Sequence, residues 1–404
     1  MARAGLSTLV IVFACALCVA AVAGEDRESI VAGNNAFAFD LYGNLRTKPG
    51  NLLFSPYSVS SALGMTYAGA RGETAEQMAR ALHFTLGPEK LHSAFGALIA
   101  EQNAAEKDGK PRTYELAVAN RLFGQNGYEF LPAFLDVTRK SYGSELQRLD
   151  FKADTERARS TINAWVEEKT RDKIKDLIPR GQLQSDTRLV LVNAVYFKGK
   201  WEKQFSAKQT KSAPFTGEDG QKSDAQFMQQ TGDFRFLEQD GMKALEMRYT
   251  GGDLAMLALL PKDEKSLGEL EKKLDSKSMT DWTSKLVEQN VIVSFPKFKM
   301  TWGTQDISSD IRSLGMNLAF NANEADFSGM NGNRELYIGL ILHKAFMDVN
   351  EEGTEAAAAT AVGMKAGGPP HRPPEFVADH PFICLIRDVK SGAILFMCRV
   401  AAPK

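Results

Sequence analysis

The chain has 404 residues, 44% of them apolar, with a formal net charge of −1 and only four cysteines. A chain this long and this apolar can bury a large core. The near-zero charge gives no pull toward nucleic acid or an acidic membrane surface. With so few cysteines, stability must come from packing rather than from a disulfide framework.

Residues 1–23 read as a secretory signal peptide. A single Arg3 precedes the apolar run LSTLVIVFACALCVAAVA, Ala21-Val22-Ala23 forms a small-x-small cleavage site, and the charged EDRE follows. The rival reading is a retained anchor, since the run is near the lower length for spanning. Cleavage removes Cys15 and Cys18, the one Cys-x-x-Cys, and leaves Cys384 and Cys398. A secreted chain, extracellular or periplasmic, is therefore expected, free of the membrane once cleaved. The sequence contains no Asn-x-Ser/Thr sequon, which fits an unglycosylated chain such as one of prokaryotic source.

Helical patterning dominates the first third. It predicts helices over 29–45, 73–82, 88–106, 129–141 and 155–172, and one opening at Ser55-Pro56 with a small-residue face of Ser58, Ser61, Ala62, Gly64, Ala68 and Gly69. The period then changes. RLVLVNAVYFKG, 188–199, is too apolar for a solvated face and reads as a central strand. Further strands are expected at 234–238, 243–250, 254–261, 290–299, 336–349, 380–387 and 393–400, with short helices at 264–274 and 277–288. Helices first and strands later imply an α+β fold, as one intertwined domain or two lobes.

Catalytic motifs are missing. There is no His-Glu-x-x-His, Gly-x-Ser-x-Gly, Walker A loop or Gly-x-Gly-x-x-Gly, and no two of the five histidines stand at helical ligand spacing. No enzyme, metal or cofactor is expected. FICLI and FMCRV should form a hairpin turning near Lys390-Ser391-Gly392, which sets Cys384 opposite Cys398. A cross-strand disulfide is possible there. Two buried thiols are the favoured reading, because ideal strand pairs often fit disulfide geometry poorly.

The segment EEGTEAAAATAVGMKAGGPPHRPP, 351–374, stands apart. By propensity its Ala run is helical; Gly353 and the Pro pairs forbid a regular continuation. As a strand it would place Thr354, Ala356, Ala358 and Thr360 on one face, small and uncharged, with Glu355 on the other. Such a face can slide over a packed core without desolvating charge.

NLLFSPYSVSSALGMTYAGARGETAEQM, LVLVNAVYFKGKWEKQF, HKAFMDVNEEGTEAAAATAV and ADHPFICLIRD, in this order, resemble the serpin signatures over 34–403. The resemblance implies about nine helices, three β-sheets and an exposed reactive-centre loop over about 351–374. It implies a monomeric suicide inhibitor of serine or, in some members, cysteine proteases. The cut loop inserts into the main sheet and traps the target as a covalent acyl-enzyme; the alternative is a non-inhibitory carrier or chaperone. By the same resemblance, Glu351 pairs with Lys297, and Gly353, Thr354, Glu355, Ala356, Ala357, Ala358 and Ala359 form the hinge, with Thr354 buried first. Ser55, Pro56, Asn193 and His343 form a shutter under the sheet, where a neutral His343 would bond Asn193 and serines, and Trp201 marks the breach. Family spacing places the residue before the cut at Gly367, with Ala366, Lys365 and Gly368 close by and Met364 as a chymotrypsin-like option. Those upstream require a hinge one to three residues shorter than usual, and Ala366 or Gly367 with a small-pocket protease is preferred. The absence of a basic cluster around 88–106 predicts no polyanion activation.

Overall fold

The computed structural model describes residues 6–104, 106–107, 110–354 and 372–403. Among these, ten α-helices surround a nine-stranded, a six-stranded and a two-stranded sheet. The first helix, Leu6–Leu45, joins the apolar N-terminal run to the helix expected at 29–45. No Pro interrupts it, and its internal glycines each cost only about 1 kcal/mol. Among the described residues no helix is long and apolar enough to cross a membrane.

The six-stranded main sheet runs in the order Phe298–Asp306, Leu340–Asn350, Gly353–Thr354, Leu189–Lys200, Tyr114–Gln125, Gln147–Leu149. Leu189–Lys200 is the expected central strand, buried from Leu189 to Phe197 because both faces are covered. On one face Ile162 and Val166 of the helix Thr155–Lys169 pack with Val190, Val192 and Phe346. On the other, Val195, Phe197, Met347 and Val349 join a larger core shared with the nine-stranded sheet. The helix Pro56–Tyr67 lies under this second face, with Pro at its first turn and Ser55 as N-cap, its Oγ accepting from Ser58 N.

The strands depart from expectation at two places. Tyr114–Gln125 was not foreseen as a strand. It is covered on both faces and shows neither clean alternation nor a continuous apolar run, so the period-2 signal is lost. The strand expected at 290–299 is two strands, Val287–Pro296 in the nine-stranded sheet and Phe298–Asp306 in the main sheet, parted at Lys297. Pro296 cannot donate to a ladder, which suits the end of a strand.

The C-terminal hairpin, Phe382–Asp388 with Ile394–Val400, does set Cys384 opposite Cys398. The reading of two free thiols is corrected: the cysteines are joined, with Cα atoms 5.2 Å apart. The two cysteines face each other in a regular stretch of the ladder, and their Cα separation lies within the range a disulfide spans. The bridge closes a separation of 14 residues. Replacing both cysteines by serine should lower stability by about 3 kcal/mol, from loop-closure entropy in the unfolded chain. A guanidinium unfolding midpoint identical to that of the parent would show that the bridge adds nothing to stability.

Candidate functional site

The site is a slot in the main sheet. Leu340–Asn350 and Leu189–Lys200 pair directly and in parallel from Leu340 opposite Val190 up to Phe346 opposite Tyr196. Above that rung they part. The chain reverses at Glu351–Glu352 and places Gly353–Thr354 between them, antiparallel to both, with Thr354 facing Val349 on one side and Gly199 on the other.

Each element of this plug has a local cause. Gly353 sits at φ +153°, and a Cβ there would lie 2.0 Å from Gly199 O, so only glycine can approach so closely. Thr354 is fully buried, and its hydroxyl lies 2.9 Å from the Tyr249 hydroxyl. Tyr249 stacks on Trp201, with ring centroids 4.6 Å apart and planes at 17°. Trp201 is itself buried; its Nε1 donates to Asn350 O at 3.0 Å and its backbone N–H to Glu352 O at 2.7 Å. The turn is therefore anchored through its carbonyls, which leaves the Thr354 side chain free to meet Tyr249.

Glu351 makes the outer anchor. Its Oε2 lies 2.9 Å from Lys297 Nζ and its Oε1 accepts from Thr210 Oγ1 at 2.7 Å. Burial pushes this carboxyl up, but the hydrogen bonds from Lys297 and Thr210 outweigh it and hold it below the ordinary carboxylate range. The pair occurs where Lys297 separates the two sheets, so one lysine ties the turn to both.

Deeper under the slot lies a closed polar network. Ser55 N donates to His343 Nε2 at 3.1 Å, so Nε2 is the acceptor and Nδ1 carries the proton, which it gives to Asn193 Oδ1. Asn193 Nδ2 then donates to Ser58 Oγ and Asn120 Oδ1, each at 2.7 Å. Asn120 Nδ2 donates to Ser61 Oγ at 2.9 Å, and Ser55 Oγ donates to Leu395 O at 2.6 Å. Complete burial holds the His343 pKa down at about 3, so the ring is neutral. Pro56 contributes no hydrogen bond; it starts the helix that carries Ser58 and Ser61.

Ser55, Asn193 and His343 thus form one cluster, and Lys297, Trp201, Glu351, Gly353 and Thr354 a second at the mouth of the slot. Glu355, Ala356, Ala357, Ala358 and Ala359, and the bond candidates Lys365, Ala366, Gly367 and Gly368, lie outside the described residues. Sequence reasoning missed Asn120, because its strand was missed, and Tyr249 and Thr210, because no local pattern marks a contact made across 105 or 141 residues. Of the four described histidines none is held between a serine hydroxyl and a carboxylate: His83 meets Asp40, His92 Tyr142, His380 Asp379 and Pro261 O, and His343 the network above.

Comparison with known proteins bears on what this slot is for. A family model described as Serpin (serine protease inhibitor) matches residues 32–403. The chain is 44% identical over 387 residues to the leukocyte elastase inhibitor of Bos taurus, covering 93% of this chain and all of that one. It is 40% identical over 395 residues to Serpin B3 of Homo sapiens, again over 93% of this chain and all of the relative. Among solved structures, human thyroxine-binding globulin superposes with a TM-score of 0.85 at 29% identity, over 94% of this chain and all of that one.

Two tests probe the slot. Replacing Lys297 by Glu sets two carboxylates against each other and should loosen the turn, giving faster polymer formation on mild heating. An unchanged rate on native gels would remove the Glu351–Lys297 pair from the account. The second test uses pH. His343 and His92 are held neutral by burial, with pKa values of about 3 and about 4, whereas an unfolded histidine titrates near 6.5. As pH falls below about 6.5, the unfolded chain binds protons that the folded chain cannot. Stability should therefore drop toward about pH 4.5, opposed in part by His380, whose pKa is raised although its burial lowers it, because the bonds to Asp379 and Pro261 O and the nearby charges of Asp379 and Glu264 together outweigh that burial. His343→Gln should remove about one proton from that slope; a slope left unchanged would mean that folded His343 is charged.

Proposed function

We propose, for a chain that belongs to the serpin family of serine protease inhibitors, that it is a secreted, single-use inhibitor that traps its target by loop insertion. Family membership makes the chain an inhibitor class member rather than an enzyme, with proteases as partners of its relatives. The finer reading rests on one observation: the main sheet is already parted at its top, and the hinge has placed its first two residues in the gap.

Continuing that register is informative. Ala357 would meet Phe346 on one side and Tyr196 on the other, the last rung at which the two strands now pair directly. Thr360 would arrive between His343 and Asn193, so the hydrogen bond joining those two must break for the loop to pass. Thr354, Ala356, Ala358 and Thr360 would face the core below, where nothing larger than a threonine has to be fitted. Glu355 would fall on the opposite face, between Lys198 and Asp348, both only partly buried. Cleavage frees the loop's far end. A serine protease joined to it as an acyl-enzyme would then be carried along as the strand grows, with burial and strand pairing withheld in the native state as the driving force; this family is the standard instance of such stored strain.

For the target, a small residue before the cut suits an elastase-like pocket. Ala366 or Gly367 meets that need, and the bovine relative is named for leukocyte elastase. Secretion is supported by the apolar run ending in Ala21-Val22-Ala23 and by the Cys384–Cys398 bridge, which an oxidising compartment sustains. N-terminal sequencing of the exported protein should start near Gly24; an intact Met1 on the mature chain would remove that reading.

The decisive experiment mixes the protein with an elastase, then separates the products after boiling in SDS. A band at the summed mass is expected, and the mass of the released C-terminal peptide names the scissile bond. Thr354→Arg should abolish that band while leaving the loop cleavable. Seating an unpaired guanidinium against Tyr249 costs more than about 3 kcal/mol, so the plug from which the strand must grow is lost. A Thr354→Arg protein that still traps protease would show that insertion is not the mechanism.

A further inference from the structure

One charge in the hinge does not follow from a slot that selects small side chains. Glu355 is the only charged residue between Gly353 and Met364. Carrying a carboxylate into a sheet without a partner is costly.

The two strand edges that would receive it carry charge of their own. Above the last direct pair, Tyr196 with Phe346, one rung runs across four strands: Glu115 faces Lys198, and Lys299 faces Asp348, with the gap between Lys198 and Asp348. Thr354 faces Gly199 and Val349, so the next position of the ladder falls in that gap. Directly opposed residues of antiparallel strands share a face. Here it is the face of Tyr196 and Phe346, toward the helix Thr155–Lys169. Lys198 and Asp348 are half-buried and make no ion pair among the described residues.

The charges on this rung do not cancel. Arg171, from the turn after that helix, takes up Glu115 through two contacts, Nε to Oε1 at 2.8 Å and Nη1 to Oε2 at 2.9 Å. Asp348 has Lys299 directly across its strand pair, with the Lys299 ammonium 5.4 Å from the Phe346 ring centroid. Three cations, Arg171, Lys198 and Lys299, therefore stand against two carboxylates, Glu115 and Asp348, and the surplus lies at Lys198. Diagonal neighbours tilt it the same way. Lys200 stands two residues from Lys198, whereas Phe346 and Asn350 stand two residues from Asp348. A carboxylate entering the gap brings the rung to neutrality; a second lysine there would double the surplus.

We infer, on the reading that the loop inserts, that Lys198 is a positioning residue for that step: its ammonium receives the carboxylate of Glu355 as the plug grows by its next residue. Lys198 has no ion pair to lose in the intact chain, so its removal acts on insertion.

The test is a double-mutant cycle on the full chain. Elastase is mixed with the parent, Lys198→Met, Glu355→Gln and the double variant, and the ratio of cleaved to covalently trapped inhibitor is read after boiling in SDS. Each single variant should raise that ratio about threefold, the scale of one cross-strand charge pair. The double variant should also stand about threefold above the parent, because both changes remove the same contact. In 1 M salt, where the screening length is about 3 Å, the four proteins should converge. Single variants equal to the parent would overturn the inference. So would a rise of about ninefold in the double variant, which makes Lys198 a structural residue acting independently of Glu355. A parent that neither traps elastase nor melts higher once its loop is cut removes loop insertion itself, and this inference falls with it. A parent that melts higher without trapping keeps insertion. The cycle is then read on the guanidinium midpoints of the cleaved proteins, which should fall equally in all three variants; a midpoint unchanged in cleaved Lys198→Met overturns the inference alone.

Discussion

The structure turns on one incomplete strand pair. Two parallel strands, Leu189–Lys200 and Leu340–Asn350, hold each other as far as Tyr196 and Phe346 and then diverge. Backbone N–H and C=O groups at the top of each would be left without partners in a buried sheet, at a cost of about 1–3 kcal/mol each. Gly353 and Thr354 take up those groups from both sides at once. The plug is short because the chain supplying it has only just turned at Glu351–Glu352. A longer plug would require the strands to separate further, breaking direct pairs from Phe346–Tyr196 downward. The sheet is thus closed below the Phe346–Tyr196 rung and parted above it.

Resistance to further opening is distributed over two layers. At the mouth, Trp201 and Tyr249 form a flat aromatic floor, and the Tyr249 hydroxyl fixes Thr354. Below, His343, Asn193, Asn120 and three serines satisfy one another in a region where any orphaned group is expensive. This network crosses three strands and the helix beneath them, so strands cannot part without exchanging its partners. Asn and Ser suit such a place because each both donates and accepts. A charged residue could not be re-paired during the exchange. The neutrality of His343 belongs to the same requirement: protonated, Nε2 could no longer accept from Ser55 N.

Much of this was legible in the sequence, unevenly. The central strand could be read because burial on both faces forces a continuous apolar run. Of the small-residue face expected over 354–360, only Thr354 lies among the described residues, and it is buried as expected. The Cys384–Cys398 facing followed from the turn, but whether the sulfurs join depends on the local separation and orientation of the two strands, which no hairpin count contains. Glu351–Lys297 came from family resemblance alone, since 54 residues separate the partners. Tyr249, Thr210 and Asn120 were not legible. Each is an ordinary residue in its own segment and gains a role only when sheets and helix are assembled around the slot.

The same assembly explains why a fold can serve more than one purpose. Thyroxine-binding globulin, solved with its ligand, shares this architecture at a TM-score of 0.85, so the sheets and helices alone do not distinguish an inhibitor from a carrier. On the proposed mechanism, what distinguishes them is whether the slot can go on filling. Here the first seated residue is a threonine whose hydroxyl is met by Tyr249, and the residues after it that would face the core are alanines until Thr360. Each of those positions could exchange a strand-to-strand contact for an equivalent strand-to-loop contact without burying a charge. A glutamate or proline at any of them would instead leave a buried group unpaired or a ladder bond unmade, and insertion would stall where the plug now stands.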